Sequence, residues 1–71
     1  MSARRYRLPS GATVRTSATR RFLVIGHYDG ARPAVETTTD TRADADRLAY
    51  QYRRDYPHTA WYVVDQDDGA S

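Results

Sequence analysis

The chain has 71 residues, 28% of them charged and 39% hydrophobic, with a formal net charge of +2 and no cysteine. That length bounds it to a single domain, residues 1–71, with one small core, and leaves little room for a large enzyme fold. The longest apolar run, Phe22 to Gly26, is five residues against the roughly 20 of a membrane helix, and the lack of cysteine excludes a disulfide framework and a thiolate metal site.

In chain order, Tyr6-Arg7-Leu8 and Ala12 to Thr16 flank Pro9-Ser10-Gly11, a turn in which Pro presets φ and Gly accepts a positive one. The reading is a hairpin. Alternation puts Tyr6, Leu8, Ala12 and Val14 on one face and Arg5, Arg7 and Arg15 on the other. Residues 1–5 read as a basic, frayed arm. Thr19-Arg20-Arg21-Phe22-Leu23 resembles a twin-arginine export motif, but the apolar stretch stops at Gly26, too short for a signal segment. The expectation is a soluble, cytoplasmic protein.

Arg20 to Tyr28 carries the strongest strand signal. It is apolar on both faces in its middle and so is expected at the centre of a sheet. Asp29-Gly30 follows as a two-residue hairpin turn, and the chain returns through residues 32–38. That turn sets Val24 opposite Val35 and Phe22 opposite Thr37 on one face. The other face then carries Arg21, Leu23, Ile25, His27, Arg32, Ala34 and Glu36, and a slip of one residue would exchange the two. Pro33 marks the returning strand as an edge.

Thr41-Arg42-Ala43-Asp44 is a capping-box-like helix start, Arg53 and Arg54 close the last turn, and Pro57 lies just beyond. The helix over residues 41–56 has an apolar stripe of Ala45, Leu48, Ala49, Tyr52 and Tyr56, with Tyr50 off it. Residues 60–64 form a last strand, apolar or aromatic on both faces: Trp61 and Val63 on one, Tyr62 and Val64 on the other. One helix covers one sheet face only, so either the first hairpin or a second copy must cover the other. Residues 66–71 read as a frayed acidic tail. The expected fold class is α+β: a mainly antiparallel sheet with one helix packed on a face, in β-β-β-β-α-β order. A right-handed crossover makes the last strand parallel to the fourth, so the last strand and the second compete for the one place beside the central strand, and the sequence does not decide between them. The expected core is Phe22, Val24, Val35, Leu48, Tyr52, Trp61 and Val63.

Chemistry is narrowed mostly by elimination. His27 and His58 are about thirty residues apart and have no zinc-type spacing. Asp65-Gln66-Asp67-Asp68-Gly69 has its glycine one place early for a calcium loop. Ser10 and Ser17 lack a nucleophile context, and His27 beside Asp29 is a weak base-and-orienter pair. No catalytic residue, metal site or cofactor is expected, and no enzyme.

Charge asymmetry points further. Residues 1–21 hold six arginines and no acid, while residues 22–71 hold five arginines and nine acids. The absence of lysine fits a GC-rich genome, but codon usage does not explain an acid-free third. Arg4, Arg5, Arg7, Arg15, Arg20 and Arg21 are therefore the expected contacts to nucleic-acid phosphates, through hydrogen bonds and counterion release with little base specificity. The alternative is a protein-binding module, a homodimer, adaptor, inhibitor or assembly subunit, using Tyr50, Tyr62 and Arg54.

Overall fold

The computed structural model describes residues 3–69, and the side chains of residues 68 and 69 are not described; residues 1–2 and 70–71, the outermost parts of the expected frayed ends, lie outside the described residues. Five strands and one long helix follow the expected order: β1 (Arg4–Arg7), β2 (Thr13–Thr16), β3 (Phe22–Tyr28), β4 (Ala34–Thr39), α1 (Arg42–Asp55) and β5 (Thr59–Asp65), with one further helical turn, α2 (Gln66–Gly69). The protein is a small α+β fold. Strands β1 and β2 form an antiparallel hairpin, and a separate three-stranded sheet runs β4-β3-β5, antiparallel on both sides of β3. The place beside β3 that two strands competed for belongs to β5.

Each joint has a local cause. The β1–β2 turn runs through Pro9 and Ser10 to Gly11, which takes φ +93°. The Gly11 amide donates to Leu8 O and the Leu8 amide to Ala12 O, the pattern of a turn followed by a left-handed glycine. Thr41 caps α1: its side chain accepts from the Asp44 amide at 3.2 Å, which satisfies one of the helix's orphan donors.

The second hairpin departs from expectation. The turns that suit a two-residue hairpin need positive φ at the first central residue (type II′) or at both (type I′), and here only the second, Gly30, has it, at +82°. The Ala31 amide still closes on Tyr28 O, but positive φ at the second central residue alone is the type II pattern, which splays the strands, and the connection runs on to Pro33 before β4 begins. Val24 therefore faces Thr37 and Phe22 faces Thr39. The register shifts between Val24 and Ile25, so that Ile25 faces Val35 and Gly26 faces Ala34. Glu36 is the extra residue of this bulge. Val35, expected beneath the helix, consequently packs on the other face, beside Ile25. β4 is an edge strand, as Pro33 indicated.

The sheet is buried on both sides. Phe22, Val24 and Trp61 meet Ala45, Ala49, Leu48 and Tyr52 of α1, with Val63. Leu23 and Ile25 meet Tyr6, Leu8 and Val14 of the hairpin, with Val35, Tyr62 and Val64. The first hairpin thus covers the second face, giving three layers: helix, sheet, hairpin. Among the described residues no helix is long and apolar enough to cross a membrane.

Candidate nucleic-acid interface

The apolar face of the hairpin is fixed against the sheet, so its arginine face is fixed outward. Tyr6 and Val14 are buried and paired across the strands, and alternation turns their neighbours the other way. Arg5 stands opposite Arg15, and Arg7 opposite Thr13. All four residues are exposed. Among the described side chains none of Arg5, Arg7 and Arg15 has an ion-pair partner. Like charges directly opposite one another on a hairpin destabilise it by a few tenths to about 1 kcal/mol. Folding does not call for this pair.

The other three sequence-predicted arginines are engaged within the protein. Arg4 donates from Nη1 to Gln66 Oε1 at 2.9 Å. Arg20 donates to Thr38 O at 3.1 Å and lies 3.7 Å from Asp40. Arg21 grips Asp65 with both Nε and Nη2, at 2.9 and 3.0 Å, sits 3.4 Å from Asp67, and lies over the Phe22 ring. The acid-free third of the sequence is thus not acid-free in space: Asp40 just after β4, Asp65 of β5 and Asp67 of α2 return to Arg20 and Arg21. Among the described side chains, Arg5, Arg7 and Arg15, half of the six, form one exposed surface without an ion-pair partner.

Gln66 holds the base of that surface in place. The sequence suggested the first residue of a solvated tail. The structure buries it, leaving 4% exposed. Its Oε1 accepts from Arg4 and from the Tyr6 hydroxyl at 2.8 Å. Its Nε2 donates to Ala18 O at 3.0 Å and Arg20 O at 2.6 Å, and its amide donates to Arg21 O. Every polar atom of the side chain is used, so the end of β5, the first strand and the β2–β3 link lock together. A lone glutamine among aspartates gave no signal of this, because the partners lie 46 to 62 positions away in sequence.

The residues of the alternative reading do not gather. Tyr50 is exposed on the outer side of α1, Arg54 lies 3.8 Å from Asp55 near the end of the same helix, and Tyr62 packs beneath the hairpin on the opposite sheet face. His27 places Nε2 2.9 Å from Ala31 O, within the turn. Among the described residues no cluster of His, Asp and Glu could hold a metal ion.

Sequence reading also missed an open groove of about 400 Å³ where α1 ends short of the sheet, floored by Gly26 and Trp61 and flanked by Tyr28, Tyr56, Arg32 and Glu36. Its floor explains the glycine. Gly26 and Trp61 are directly opposite, and a Cβ at Gly26 would stand 2.8 Å from Trp61 Cζ3. The indole stacks on Tyr52, with ring centres 4.6 Å apart, and donates to Tyr56 O at 3.3 Å.

No family model, curated protein or solved structure matches this chain.

Proposed function

We propose that the protein is a non-enzymatic nucleic-acid-binding domain that grips the phosphate backbone through Arg5, Arg7 and Arg15 on the outer face of its first hairpin. The observation that carries this reading is the Arg5–Arg15 pair: two exposed guanidinium groups opposite each other on the hairpin, with no ion-pair partner among the described side chains. Arg5 and Arg7 are two residues apart on one strand, which sets them roughly 7 Å apart, comparable to successive phosphates of an extended strand. Guanidinium groups bind phosphate oxygens bidentately. The surface reads charge and spacing rather than base edges, so binding is of low sequence specificity. Such a protein acts where nucleic acid is, in the cytoplasm.

Three neutralised phosphates per chain correspond to a slope of log K against log salt of about −2.7 on duplex DNA. Fluorescence anisotropy of labelled duplex DNA and single-stranded RNA, from low to physiological salt, tests this. Binding with that slope supports the reading, and an absence of binding at low salt overturns it.

A further inference from the structure

We infer that β5 is a self-pairing edge, and that two copies of this chain join through it, antiparallel and centred on Tyr62, into one six-stranded sheet. This inference stands apart from the phosphate-binding reading, since it rests on backbone groups and not on arginines.

The ladder between β3 and β5 fixes which groups point outward. The Gln66 amide donates to Arg21 O, directly across from it, and alternation then turns the N–H and C=O of Val64, Tyr62 and Ala60 toward β3. Thr59, Trp61, Val63 and Asp65 point the other way. The Trp61 carbonyl confirms this by accepting from Arg53 Nη2 at 3.1 Å, on the side away from β3. No other strand pairs with that side of β5. Of the outward groups the Thr59 amide is bonded to Tyr56 O, while Val63 lines an open groove on that side. That groove, of about 370 Å³, runs between the edge and the first hairpin, lined by Arg5, Arg7, Pro9, Val63, Val64 and Asp65.

The two edges of the sheet are treated differently. β4 carries a bulge and follows a proline, devices that discourage pairing. β5 runs seven residues without proline, glycine or bulge. Its centre, Ala60-Trp61-Tyr62-Val63-Val64, is uncharged, and Tyr62, Val63 and Val64 are only half-buried.

The occupant is a second copy because the strand is complementary to itself. Centring the two-fold axis on Tyr62 sets Trp61 opposite Val63 of the second copy and Ala60 opposite Val64 of the second copy; the Thr59 amide stays with Tyr56 O, and the Trp61 carbonyl accepts the second copy's Val63 amide on its remaining lone pair, beside Arg53. No like charges then oppose one another. Tyr62 meets Tyr62 of the second copy in a non-hydrogen-bonded pair, where side chains approach closest and an aromatic pair adds stability. Val64 and its two-fold mate are roughly 14 Å apart along the strands, which keeps the Arg5 and Arg7 clusters beside them at opposite ends. An axis perpendicular to the sheet leaves both helices on one face and both hairpins on the other, so the assembly shows two arginine faces to the same side.

Sedimentation equilibrium without nucleic acid, from micromolar to millimolar protein, is the test. The expected result is a rise from 8.1 kDa to twice that mass. Val63→Pro removes an outward N–H and leaves the β3 ladder whole, so the variant should keep its circular-dichroism spectrum and stay monomeric. Single cysteines give a second readout that needs no stability comparison. Tyr62→Cys sets two sulfurs across the axis, with Cα atoms about 4.5 Å apart, within disulfide reach, and oxidises to a covalent dimer. Ala60→Cys, more exposed but opposite Val64 of the second copy, does not. A wild-type chain that stays monomeric throughout overturns the inference and leaves the edge to a strand from another protein. A dimer unaffected by Val63→Pro, or Ala60→Cys cross-linking as readily as Tyr62→Cys, overturns it as well.

Discussion

Arg5 and Arg15 stand directly opposite each other across the first hairpin, both exposed and neither with an ion-pair partner among the described side chains. The pair opposes folding slightly, and its partner at the next position along is Arg7 rather than an acid. On the proposed reading, these three clustered guanidinium groups, which gain nothing internally, meet a ligand that supplies negative charge.

The pair predicts opposite signs for stability and binding. Arg15→Ala should leave stability unchanged or raise it by up to about 1 kcal/mol, because it relieves the repulsion. The same change should weaken binding to all sequences alike and make the salt slope shallower by about one. Urea denaturation and anisotropy on the same sample check both.

Arg21 should behave in the reverse way. Its guanidinium is about half exposed, while the Asp65 side chain it grips is only 14% exposed. Arg21→Ala should cost about 1 kcal/mol of stability, losing the tie between the start of β3 and the end of β5. Nucleic-acid affinity should hold, since Arg21 is already neutralised. A large loss of affinity with unchanged stability would place it in the interface instead.

Gln66→Ala should be among the most damaging single changes. It strands the buried Tyr6 hydroxyl and the Arg20 carbonyl and leaves Ala18 O with Arg4 alone, at about 2–3 kcal/mol in all, measured as a fall in urea midpoint with little change in slope.

Gly26→Ala should also destabilise, by about 1–3 kcal/mol, because the new Cβ meets the face of Trp61. Trp61 is the single tryptophan, so its emission reports the displacement directly.

Much of the fold was legible because its signals are local. Thr41 and Asp44, the helical stripe and Pro57 bound α1 to within a residue, and alternation through Tyr6, Leu8 and Val14 oriented the first hairpin correctly. The register of β3 on β4 was not legible. The Asp29-Gly30 dipeptide fits two turns, and the one adopted lengthens the loop and places a bulge that carries Val35 to the other face. The candidate site was half legible. Composition showed six arginines without an acid nearby in sequence, but Asp40, Asp65 and Gln66 are brought to three of them by the topology alone. Nothing in local sequence separates Arg21 from Arg15; only the fold does.

The most direct test of the central claim compares wild-type protein with the Arg5→Ala, Arg7→Ala, Arg15→Ala triple variant in a salt titration of anisotropy on labelled duplex DNA. Phosphate binding by these three arginines predicts a wild-type slope near −2.7 per bound chain, doubled if the paired dimer binds as one unit, and a triple variant that is folded but has lost most of its affinity and nearly all of its salt dependence. A folded triple variant that binds with the wild-type affinity and slope would contradict it.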